Sequence, residues 1–119
     1  MKKILVVDDD VDILELMRIL LTMHQFKVET VSRWESIDPA IEQFKPDLLL
    51  LDISLNGADG RKICKKLRAN EATRELPIII FSANQEMERD LQECKAQAFV
   101  AKPFEMAQLV GMIRHHAGN

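Results

Sequence analysis

The 119-residue chain is predicted to form a doubly wound α/β domain, a five-stranded parallel sheet with five flanking helices. Three observations predict it. Short apolar runs (KILVV, LLLL, PIIIF) recur, too continuous to leave one face in water. Segments with apolar residues at helical spacing separate them. The two kinds of segment alternate strictly, as parallel strands joined by crossover helices require.

The run at 3–7 is a buried strand. Ile13, Leu16, Met17, Leu20 and Leu21 follow at the spacing of one helix face within 10–24. KVETV at 27–31 alternates weakly and reads as an edge strand. Ile37, Ala40, Ile41 and Phe44 mark a second helix, which Pro39 either starts at Asp38 or makes irregular. DLLLLDI at 47–53 is a fully buried strand that leads into a turn. A helix then opens at Asp59 and Gly60 and runs to about Ala69, with Ile63, Cys64 and Leu67 inward. PIIIFSA at 77–83 is the next buried strand. Met87, Leu91 and Cys94 trace a fourth helix with a thin apolar stripe, AFVA at 98–101 is a short strand, and Met106, Leu109, Val110 and Ile113 form the last helix.

Composition bounds the function. No repeat, linker or low-complexity stretch divides the chain, so residues 1–119 read as one domain. A net charge of −3 argues against a nucleic-acid or membrane surface. The basic stretch RKICKKLR (61–68) lacks interleaved aromatics and reads as a solvated helix face. Cys64 and Cys94 sit in no CxxC or Cys/His cluster, which suits reduced thiols in a cytosolic protein. The apolar part of MKKILVVDDD is too short for a signal peptide, and no run reaches spanning length, so a soluble, cytoplasmic chain without membrane insertion is expected.

In an open parallel sheet the carboxyl ends of the strands share one rim, and ligands bind there. The first strand ends in Asp8-Asp9-Asp10, the third in Asp52, the fourth in Ser82 and the fifth in Lys102-Pro103. Crowded carboxylates repel one another. A divalent hard cation relieves that conflict, and Mg²⁺ takes one or two carboxylates together with water and phosphate oxygens. Ser82 and Lys102 are then donors for a phosphoryl group, and a carboxylate can attack phosphorus to give an aspartyl phosphate. Asp10 and Asp59 read more simply as helix caps. His24, His115 and His116, at helix ends where an imidazolium suits the dipole, read as exposed side chains.

The four segments ILVVDDD, LLLLDISLNGADG, IIIFSA and FVAKPF, in this order, resemble those of a response-regulator receiver domain, and the resemblance covers the whole chain. It implies the flavodoxin-like strand order 2-1-3-4-5, which a chemotaxis receiver exemplifies. It implies Asp52 as phospho-acceptor, and Asp8, Asp9, Asp52 and the backbone carbonyl of Ser54 as the Mg²⁺ site. Ser82, the amide of Ala83 and Lys102 would bind the phosphoryl group, Ser82 and Phe99 would act as the switch, and the bond before Pro103 would be cis. Phe99 reads equally as an ordinary core residue of a short strand. Asn56 stands where the family usually has proline, Lys95 where it often has glycine, and Phe99 where tyrosine is commoner.

Such a domain catalyses its own phosphorylation and dephosphorylation and nothing else. Its implied partners are a sensor histidine kinase or phosphotransfer protein, and a downstream protein or second copy on the face of the fourth helix, fifth strand and fifth helix. It would be a stand-alone relay or the N-terminal part of a longer regulator. A receiver that binds proteins without phosphorylation is the alternative. An aspartate-based phosphatase of the haloacid-dehalogenase type fits less well, because its signature needs an acid where Ser54 stands. A flavodoxin is weaker still, because no Ser/Thr/Gly-rich loop follows the first strand.

Overall fold

A computed structural model describes residues 1–52, 54–55, 58–82 and 95–118. The main elements are β1 (Lys3–Val7), α1 (Val11–Met23), β2 (Lys27–Val31), α2 (Ile37–Phe44), β3 (Leu48–Asp52), α3 (Gly60–Ala69), β4 (Ile78–Ser82), β5 (Ala98–Ala101) and a C-terminal helix, Met106–Ala117. The five strands form one parallel sheet in the order 2-1-3-4-5. The expected fourth helix (Met87, Leu91, Cys94) and Ala83 lie outside the described residues.

Successive side chains of a strand face opposite sides, so each apolar run feeds two cores. Ile4, Val6, Leu48, Leu50, Ile79, Phe81 and Val100 pack with α1 and the C-terminal helix. Leu5, Val7, Leu49, Leu51, Ile78 and Ile80 pack with α2 and α3. All five residues of β3 are buried, as are all five of β4. β2 is an edge strand with the exposed residues Lys27 and Glu29. Charged side chains on such an edge discourage pairing with another chain.

Three local expectations need correction. The buried seam of α1 is Leu14, Met17 and Leu21, with Ile13 and Leu20 half-buried, whereas Leu16 is 55% exposed. Leu16 lies about 200° around the axis from Leu14, so a helix that buries one must expose the other. The segment after Asp52 is also more than a turn. Ser54–Leu55 and Ala58–Asp59 pair as a short antiparallel ladder. The second helix begins at Ile37 after a 3₁₀ turn over Trp34–Ser36, one residue earlier than Asp38. Pro39 falls in its first turn, where a missing N–H costs nothing.

Candidate functional site

Parallel strands in register bring the carboxyl ends to one rim. Val7 pairs with Leu51, Asp52 with Phe81, and Ser82 with Ala101. Asp8 follows directly on β1, Asp52 and Ser82 end their strands, and Lys102 follows β5. The Lys102 N–H donates to the carbonyl of Ser82 at 2.9 Å, which ties the start of that loop to β4. The Lys102–Pro103 peptide is cis, as the resemblance implies.

The three acids converge. One carboxylate oxygen from each of Asp8, Asp9 and Asp52 lies within 4.8 Å of the others. Asp8 and Asp52 are 1% and 5% exposed, and Asp9 is half-buried. The turn that carries them is held by its own side chains. The Asp10 N–H donates to Asp8 Oδ1 at 2.9 Å, and Asp10 Oδ1 accepts from the N–H groups of Asp12 and Ile13, capping α1. Asp10 is therefore a cap, and its carboxylate stays out of the acid cluster.

Lys102 reaches into this cluster. Its Nζ donates to Asp8 Oδ2 at 2.9 Å and lies 3.8 Å from Asp52 Oδ2. It also sits 4.6 Å from the centroid of the Phe81 ring. Among the described residues, one ammonium beside three carboxylates leaves negative charge in a largely buried cleft, which is costly unless compensated. The donors are all hard oxygens. They fit a divalent cation of the Mg²⁺ class, with Asp8, Asp9 and Asp52 as the residues that would hold it.

The other predicted residues are distributed as follows. Ser82 is buried at the rim beside these groups. Ser54 pairs with Asp59 in the short ladder two residues beyond Asp52. Phe99 is half-buried and packs on the α2/α3 side of the sheet. Asp59 caps α3 as expected, accepting from the Arg61 N–H at 2.9 Å. The Arg61 guanidinium also bonds its carboxyl and, as the main cause, holds it below the usual 3.8. Phe81 was not anticipated at the site. Its place follows from ladder register, which the sequence does not print: it stands opposite Asp52, and parallel partners face the same side.

The model of the response regulator receiver domain matches residues 4–114. The chain belongs to the receiver-domain family. This receiver is 32% identical over 115 residues to the phosphate regulon transcriptional regulatory protein PhoB of Pseudomonas aeruginosa, covering 95% of this chain and 50% of that protein. It thus spans about half the length of the curated relatives it matches. Among solved structures, the BeF₃-activated N-terminal receiver domain of Klebsiella pneumoniae RstA is 31% identical, with a TM-score of 0.88 over 99% of this chain and 100% of that one. The receiver domain of the Pseudomonas aeruginosa sensor histidine kinase PA1611, solved with magnesium in its active-site cleft, is 26% identical, with a TM-score of 0.88 over 99% and 98%. Among the described residues of this receiver, no helix is long and apolar enough to cross a membrane.

Proposed function

We propose that this receiver accepts a phosphoryl group onto Asp52 from a phosphohistidine of a sensor histidine kinase or phosphotransfer protein. The observation that carries the reading is the cluster of Asp8 and Asp52, both buried, and half-buried Asp9, with the Lys102 ammonium set into it. An Asp52 carboxylate oxygen attacks phosphorus, the P–N bond to the donor imidazole breaks, and the imidazole nitrogen takes a proton from solvent. Mg²⁺, held by Asp8, Asp9, Asp52 and the Ser54 carbonyl, would supply charge neutralisation for the transferring oxygens. Lys102, Ser82 and the Ala83 amide bind those oxygens.

The new charge draws Ser82 inward, with Phe99 as the accompanying switch residue. That movement biases the surface of the fourth helix, β5 and the C-terminal helix toward a downstream protein or a second copy. Residues 1–119 act as one cytoplasmic unit that catalyses only its own phosphorylation and dephosphorylation. The magnesium in the PA1611 receiver and the BeF₃ activation of the RstA receiver support this reading by analogy.

Intact-protein mass after incubation with acetyl phosphate tests it. A gain of one phosphoryl group is expected with Mg²⁺, and none without the metal or in Asp52→Asn. An unchanged wild-type mass, with no response to BeF₃⁻, would refute it in favour of a receiver that binds partners without phosphorylation.

A further inference from the structure

Lys102 carries an ammonium that must work in two different surroundings. In this structure the Asp8 carboxylate at 2.9 Å and the Asp52 carboxylate at 3.8 Å hold it. The proposed chemistry commits both of those groups elsewhere, Asp8 to the cation and Asp52 to phosphorus. A lysine stem is flexible, and an ammonium stripped of its carboxylates tends to swing into water. The third contact of Lys102 is independent of carboxylate charge: the ring of Phe81, 4.6 Å from Nζ to centroid.

Phe81 is built to provide a fixed ring face. It is 1% exposed, and it pairs with Asp52 on one side and Val100 on the other. Alternation puts Val100 and Lys102 on the same side of the sheet as Phe81. Phe104 meets the Phe81 ring edge-to-face, with centroids 6.4 Å apart and planes at 84°, which fixes the ring's orientation. The negative face of an aromatic ring attracts a cation, more strongly where water is excluded. The Lys102 side chain is 18% exposed, so this contact lies in the stronger regime.

We propose that Phe81 is a positioning residue for phosphoryl transfer, its ring holding the Lys102 ammonium in the pocket while the acids are occupied. This rests on the reading of Asp52 as phospho-acceptor. Phe81 acts through its contact with Lys102.

The test replaces Phe81 with mono-, di- and trifluorinated phenylalanines in the full chain, which keep the ring's shape while draining its face, and with leucine. Phosphorylation by acetyl phosphate is followed at saturating Mg²⁺, alongside Mg²⁺ affinity and the ¹H–¹³C NMR signals of the Lys102 ε-methylene. The expected result is a graded fall in rate with fluorination, reaching about fivefold to tenfold in the leucine variant. Mg²⁺ affinity should not weaken, and the Lys102 ε-methylene protons should keep a ring-current upfield shift in the Mg²⁺-loaded wild type. A ring that merely fills space gives a flat fluorine series, and that outcome overturns the proposal. So does a Lys102 methylene at its ordinary shift once Mg²⁺ is bound. A wild type that takes no phosphoryl group refutes the phospho-acceptor reading, and the NMR arm still decides whether the ring holds the ammonium.

Discussion

The two rims of the sheet treat charge in opposite ways. At the carboxyl rim, three acids gather around one ammonium, so that among the described residues negative charge is in excess. At the opposite rim, the Arg68 guanidinium at the end of α3 donates from all three of its nitrogens. It donates to the carbonyls of Leu76 (2.6 Å), Lys95 (2.9 Å), Arg74 (3.1 Å) and Thr73 (3.4 Å), and to Gln97 Oε1 (2.6 Å). Gln97 Oε1 accepts in turn from the Ile78 N–H at 2.7 Å. One cation thereby ties α3 to the approaches of both β4 and β5. A satisfied network of this kind rigidifies the fold, while an unbalanced one stores a demand for a ligand.

Substitution at the structural rim should carry the largest stability effect. Arg68→Ala leaves several carbonyls short of a donor, and chemical denaturation should register a loss of about 2 kcal/mol. Mg²⁺ affinity should stay at the wild-type value; a parallel loss of metal binding would mean that the two rims are not separable. Asp59→Ala, at the start of α3 on the side of the carboxyl rim, removes the α3 cap and should cost about 1 kcal/mol by the same measurement. The Asp59 carboxyl is held below 3.8 by Arg61, so its contribution is complete above that pH and is lost as pH falls through the lowered value. The mutant's acid limb should be correspondingly shallower.

The smallest effect belongs to the structural end of the C-terminal helix. Burial, and secondarily the neighbouring His115, push His116 below the usual histidine value of 6.5. The unfolded chain therefore binds the proton first, so stability falls as pH drops below 6.5 and levels off beneath the lowered value. Melting curves of His116→Gln should be slightly flatter across that window than those of the wild type.

Much of this was legible from sequence, for identifiable reasons. A strand buried on both faces must be continuously apolar, so β1, β3 and β4 announced themselves, and whatever followed them had to share a rim. Asp8, Asp9, Asp52, Ser82 and Lys102 were found in that way. Other features left no such trace. In α1 nearly every turn offers two apolar residues, and the spacing put Leu16 on the buried face where the structure has Leu14. Arg68 looked like one more cation of a solvated helix because its acceptors are backbone carbonyls, which no residue type signals. Phe81 looked like filler in an apolar strand. Its place under Lys102 depends on ladder register and on the turn after β5, both of which are tertiary facts.

The contrast between the rims is tested most directly by Mg²⁺ calorimetry on the wild type, Asp9→Asn and Arg68→Ala. A single saturable site is expected in the wild type and in Arg68→Ala, and its loss or severe weakening in Asp9→Asn. No saturable heat in the wild type, or equal binding in Asp9→Asn, would mean that the acids at the carboxyl rim are not held for a cation, and the account would fail there.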